Sequence, residues 1–194
     1  YTLAEDTRHP AYVLVCHACG DLNEVTDPKE PGDCDCGAQL KTEGTVKRNK
    51  CPCPHCGHLN TAPFHGERPP THRLFAIEYY NPHLSEKRGR LFKKPDADDV
   101  TRVGVASLMW KRTEPCYVPE DAIPEGVESS RLHRWGYQNF YELFNDRQLL
   151  ALETSARFIA GIENLRIKRA LATNFSDLLR YQNMLCRYDV MALK

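Results

Sequence analysis

Seven cysteines crowd between positions 16 and 56 in three short groups: Cys16-His17-Ala18-Cys19-Gly20, Cys34-Asp35-Cys36-Gly37 and Cys51-Pro52-Cys53-Pro54-His55-Cys56-Gly57. Thiols two or three residues apart and closed by glycine suit a knuckle, a turn that brings both sulfurs to one ion while backbone N–H groups point at them. The glycine supplies the positive φ such a turn demands. A disulfide framework rarely needs that geometry, and the chain's nine cysteines are an odd number. The chemistry expected is Zn²⁺ held by thiolates in a reducing compartment. Four thiolates fill a tetrahedral ion and leave no position for water or substrate, so such a site folds the chain rather than catalysing a reaction.

Cys16, Cys19, Cys34 and Cys36 make the most economical set, two knuckles separated by a turn-rich loop from Asp27 to Gly32. Cys51, Cys53 and Cys56 form a second set that lacks an obvious fourth ligand, with His58, His65 and His83 as candidates. A competing partition joins Cys16 and Cys19 to Cys53 and Cys56 and leaves the middle pair to a second ion or to none. One ion and two ions are both compatible with the spacing. A thioredoxin-like role for Cys16-His17-Ala18-Cys19 lacks the surrounding βαβ pattern. Cys116 and Cys186 stand alone and read as small buried apolar residues.

The elements that must carry these groups give an α+β chain, an N-terminal zinc-ribbon or knuckle β module followed by a mostly helical part. Tyr12 to Val15 and Leu22 to Val25 are the expected strands of the first knuckle, and Thr71 to Tyr80 with Gly89 to Lys94 a later hairpin. Asp96 starts a helix ending near Thr113, with Val100, Val103, Leu108 and Trp110 on its apolar side. The segment 114–130 holds three prolines and no periodicity, which reads as a linker or a strap. A short helix follows over Gln138 to Phe144. Asn145 caps a longer one bearing Leu149, Leu150, Leu152, Phe158 and Ile159, and a last helical stretch runs from Ile162 to Leu193. The expected division is a ribbon module with one trailing helix at 1–113, the linker, and a helical region at 131–194.

Composition excludes a membrane-spanning helix, because no apolar run approaches the roughly 20 residues it needs, and the chain reads as cytoplasmic. The polar start from Tyr1 to Pro10 is no secretory signal, and the absence of an initial methionine suggests excision from something longer. A formal charge of zero hides an asymmetry. Residues 1–40 hold 2 basic and 8 acidic side chains, residues 41–112 hold 14 and 7, and residues 113–194 hold 10 and 11. Only the middle would attract a polyanion. Glycine-rich nucleotide loops, a nucleophile elbow and a His-Glu-x-x-His helix are all missing, so the chain is a poor candidate for a free-standing enzyme.

The run from Arg131 to Tyr137 (RLHRWGY), the run from Glu142 to Leu152 (ELFNDRQLLAL) and the tail from Tyr181 to Tyr188 (YQNMLCRY) resemble stretches of large adenine-specific DNA methyltransferases that contain a zinc ribbon. The order matches as well: knuckles first, Gly44-Thr45-Val46 leading to Cys-x-x-Cys-Gly, then Gly89-Arg90-Leu91-Phe92, then Arg147-Gln148-Leu149. In that family a methyl group passes from S-adenosylmethionine to the N6 nitrogen of adenine, through an Asp/Asn-Pro-Pro-Tyr/Phe motif and a glycine motif. Neither occurs here, and the nearest string is Asn81-Pro82-His83. The resemblance therefore implies a catalytically silent zinc-ribbon and helical insert whose partners are DNA and the remaining domains of a parent enzyme. S-adenosylmethionine would be bound only in those other domains. Lys47, Arg48, Lys50, Arg88, Arg90, Lys93 and Lys94 would meet DNA phosphates, with Tyr79, Tyr80 and Phe92 interleaved. The competing class is a zinc-stabilised protein-interaction scaffold without nucleic-acid contact.

Overall fold

Short strands alternate with glycine-closed turns in the first half of the chain, and helices with side-chain caps follow in the second. A computed structural model describes residues 12–44, 47–48, 50–53, 55–61, 67–80, 83 and 90–185. His65, Arg88, Cys186 and the Asn81-Pro82 dipeptide lie outside the described residues. The chain divides into two compact units, one of residues 1–64 with 71–98 and the other of residues 65–70 with 99–194. The contact boundary thus precedes most of the helix expected to trail the ribbon. The α+β class holds: antiparallel hairpins fill the first half and helices the second.

Among the described residues the first unit has three two-stranded antiparallel hairpins: β1 (Tyr12–Val15) with β2 (Leu22–Val25), β3 (Lys50–Pro52) with β4 (Leu59–Thr61), and β5 (Ile77–Tyr80) with β6 (Arg90–Lys93). An isolated pair of strands this short is marginal in water. What lies beneath β1 and β2 is a cluster of Cys16, Val25, Cys34 and Leu40, edged by Leu14, Ala18, Cys19 and Ala38. Half of its buried members are cysteines. The strand expected from Thr71 begins only at Ile77, because Pro69 and Pro70 precede the segment and Arg73 is drawn back to the first knuckle. Expectation did not include β3 and β4. Three-residue strands, one ending on a proline, carry no readable alternation.

The second unit is helical: α1 (Ala97–Arg112, from Asp99 onward), α2 (Ser130–Arg134), a 3₁₀ turn at Phe140–Leu143, α3 (Asp146–Ala160) and α4 (Leu165–Leu178). The boundaries follow the caps. The Asn145 side chain accepts the Gln148 amide at 3.0 Å while the Gln148 side chain accepts the Asn145 amide at 3.0 Å, a reciprocal box that starts α3. Asn164 accepts the amides of Arg166 and Ile167 at 3.1 and 3.2 Å to start α4. Between α2 and the 3₁₀ turn, Gly136 sits at φ +83, and a Cβ there would stand 2.4 Å from the Arg68 carbonyl oxygen. Conformation and space both demand glycine at that position. Tyr137 beside it is buried.

Two expected apolar faces are dressed differently from their pattern. Leu149 and Leu152 of α3 are buried, but Phe158 is 76% exposed, and Val100 and Leu108 of α1 face solvent. The proline-rich segment 114–130 is no free linker, since it is pinned along its own helices. Ile123, 4% exposed, donates its amide to the Gln138 carbonyl at 2.7 Å, and Ala122 bridges to Asn139.

The strongest pin is an acid. The side chain of Glu153 on α3 is 1% exposed, and its two oxygens accept the amides of Cys116 and Tyr117, each at 3.0 Å. Arg157, one turn on, donates Nε to the same carboxylate at 2.6 Å and another N–H to the Glu114 carbonyl. Burial pushes the Glu153 carboxyl up, but the two amides and the guanidinium together outweigh it and hold it below its ordinary value. Because the folded pKa is depressed, this stabilisation is complete above the ordinary carboxylate range and is lost as pH falls through the folded value. Glu153→Ala leaves two strap amides without an acceptor and is expected to cost about 2–4 kcal/mol of the unit's stability. Denaturant unfolding followed by the fluorescence of Trp110 and Trp135, both within this unit, measures the loss. Glu153→Gln is expected to flatten the acid limb of the stability curve, and an unaltered limb would rule the clamp out.

Candidate metal centre

Each knuckle is built by two backbone hydrogen bonds. In the first, the Cys16 amide donates to the Asp21 carbonyl at 2.8 Å and the Gly20 amide to the Cys16 carbonyl at 2.9 Å, with Gly20 at φ +76. In the second, one residue tighter, Cys34 donates to Ala38 at 2.9 Å and Gly37 to Cys34 at 2.8 Å, with Gly37 at φ +84. The turns leave amides aimed at sulfur, and the Ala18 amide reaches Cys16 Sγ at 3.4 Å.

The two turns face each other with their sulfurs interleaved. Cys16 Sγ lies 3.7 Å from Cys36 Sγ and Cys19 Sγ lies 3.6 Å from Cys34 Sγ, and all four atoms fall within 4.8 Å of one another. A regular tetrahedron with metal–sulfur bonds of about 2.3 Å has edges of about 3.8 Å, so the donor set fits a zinc ion in both chemistry and spacing. The four thiols are free of disulfides. Cys16, Cys19, Cys34 and Cys36 would hold the ion, whose contribution is a cross-link between two turns. Of the two partitions open in the sequence, the sulfurs assemble as the one that pairs the first knuckle with the middle cysteines.

Protonation within the cluster is uneven. Amides of Cys19 and Ala18, with the Cys36 and Cys19 thiols, hold Cys16 down at about 6 against its burial. The Asp21 amide favours the Cys19 thiolate, but burial and the bonds to the other three sulfurs push Cys19 up to about 12. Four neighbouring sulfurs do not ionise together without a cation, and a bound dication replaces their protons.

Two cations stand beside the first knuckle. Arg73 donates to the Cys19 carbonyl and to Asp21, both at 2.9 Å, and Lys94 reaches the other Asp21 oxygen at 2.7 Å. Lys94 and Arg73 accordingly hold the Asp21 carboxyl below its ordinary value, against some desolvation. A zinc ion with four thiolates carries two net negative charges; Arg73 and Lys94, once paired with Asp21, leave one positive charge to offset part of this, while Arg73 braces the turn from outside. Nothing in the sequence marks Arg73, which lies 54 residues from Cys19.

The remaining candidates are placed less tightly. Cys53 and Cys56 form a third knuckle, while Cys51 sits on β3 opposite Asn60, its thiol 3.8 Å from the Pro52 carbonyl. Among the described residues only the four-cysteine group gathers three or more such side chains within reach of one ion. His58 supplies its carbonyl to the Cys53 amide, and its side chain is exposed, as is that of His83. Of the basic residues, Lys47 and Lys50 exchange backbone hydrogen bonds at 2.9 and 3.0 Å across a two-residue turn, with Arg48 at φ +50 near its tip. Lys93 pairs with Asp96 at 2.6 Å and Lys94 with Asp21 at 2.7 Å. Arg90 lies on β6 in register with Tyr80. Tyr79 is buried, which removes it from any base-stacking surface.

Replacing Arg73 by methionine keeps much of the apolar stem and removes the charge and both hydrogen bonds. Zinc transfer from the loaded chain to a chromophoric chelator is expected to quicken by about tenfold or more. An unchanged rate would show that Arg73 leaves the ion's retention untouched. No protein-family model, curated protein or solved structure matches the chain.

Proposed function

We propose that the chain is a zinc-stapled, non-catalytic module of an adenine-N6 DNA methyltransferase. In this reading it contacts DNA phosphates, while other domains of the parent enzyme carry out transfer from S-adenosylmethionine. The support for the parent enzyme is the sequence resemblance in 131–152 and 181–188. Support for DNA contact comes from one structural observation, the turn that carries Lys47, Arg48 and Lys50. Three cations fall within four residues on an exposed hairpin, beside a unit whose clustered sulfurs leave no open coordination position. The ion pair of Lys47 with Glu43, 3.4 Å long and with both side chains about 80% exposed, is of the weak kind that a phosphate displaces.

A second reading has its own observation. α4 buries none of its residues, and Ile167, Leu171 and Leu178 stand exposed along one face of it. That face favours a protein-interaction scaffold.

Salt-dependent binding to duplex DNA separates the two. The full chain is expected to bind with micromolar affinity at about 50 mM salt and to lose affinity steeply as salt rises. Reversing Lys47, Arg48 and Lys50 to glutamate is expected to reduce the slope of log K against log salt by about 3, one unit per phosphate contact. Lack of binding at low salt, or an unaltered slope in the triple variant, would overturn DNA contact by this turn.

A further inference from the structure

The third knuckle repeats the backbone hydrogen bonds of the first. In both, the leading cysteine donates its amide to the carbonyl five residues on, Cys16 to Asp21 and Cys53 to His58, each at 2.8 Å. In both, the closing glycine donates to the leading cysteine's carbonyl at 2.9 Å, and its φ is +76 at Gly20 and +71 at Gly57. The flanking strands pair at equivalent offsets: Val15 opposes Leu22 and Pro52 opposes Leu59, one residue before and six after the leading cysteine. Even the sulfur environment is shared. The Ala18 amide reaches the Cys16 sulfur at 3.4 Å, and amides of Cys56 and His55 hold the Cys53 thiol below its ordinary value.

Amides aimed at a sulfur stabilise its anionic form, and two such sulfurs side by side repel unless a cation joins them. A redox Cys-x-x-Cys would set its reactive thiol at a helix N-terminus. This pair sits in a hairpin turn with Cys56 exposed. The backbone is therefore that of a metal knuckle rather than of an oxidoreductase. The first knuckle's cluster is complete with Cys34 and Cys36, so it has no position for these two sulfurs.

We infer that Cys53 and Cys56 form the thiolate half of a second zinc site, independent of the four-cysteine cluster and completed by donors other than those four cysteines. Soft sulfur ligands select zinc among the common divalent ions. The site differs from the first in having coordination positions that its own knuckle does not fill.

The intact 194-residue chain, loaded with Zn²⁺ and freed of excess, is expected to hold two ions, and Cys53→Ser/Cys56→Ser one. Iodoacetamide labelling read by mass spectrometry gives a second measurement that needs no variant. Zinc is expected to protect Cys53 and Cys56 in the unmutated chain, and to protect Cys16, Cys19, Cys34 and Cys36 separately. Zinc content unchanged in the double variant, or labelling of Cys53 and Cys56 unaffected by zinc, would overturn the second site while leaving the first standing. Protection of Cys53 and Cys56 alone would support the second site and overturn the first.

Discussion

In the N-terminal unit the contact on which the other contacts depend is between sulfurs. Strands of three and four residues cannot bury enough apolar surface to outweigh the entropy of ordering them, and among the described residues the buried cluster adds just Val25 and Leu40 to Cys16 and Cys34. Sulfurs 3.6 and 3.7 Å apart, drawn from two turns, stand where a larger domain would have a hydrophobic core. An ion there converts four mutually repelling groups into a cross-link. Arg73 and Lys94 brace that cross-link from outside, both pairing with Asp21 at the end of the first turn.

The helical unit solves the same problem with a buried carboxylate and ordinary packing. Leu149, Leu152 and Ile123 provide apolar burial, and Glu153 fixes the extended strap by accepting the amides that the strap's irregular backbone leaves without a partner. In both units an irregular segment is held by a charged group reaching its backbone, Arg73 to a carbonyl and Glu153 to amides.

Features that depend on neighbours in sequence were legible, and features that depend on distant ones were not. The Cys-x-x-Cys-Gly and Cys-x-Cys-Gly turns could be read because ligand spacing and positive φ are local requirements, and β1 and β2 could be read because they flank the first of them. Asn145 announced α3 through its own cap. The partition of the cysteines stayed open in the sequence, because the spacing within a knuckle says nothing about which knuckle it faces. Phe158 looked like a core residue and is exposed, while nothing local marked Glu153 for burial, because the strap it holds lies 36 residues away at Tyr117. Nothing local marked Asp21 as the partner of Lys94.

The locality of the knuckles bears on the order of assembly. Strands β1 and β2 are joined by a six-residue turn, so the first hairpin can form within about 1–10 µs, with its amides already oriented toward Cys16. Bringing Cys34 to Cys19 closes a longer stretch, 15 residues, against a greater loss of chain entropy. Metal capture should therefore begin as a two-sulfur encounter at a preformed turn and finish by loop closure. The Asp27–Gly32 segment then sets how quickly the ion passes from loosely held to enclosed.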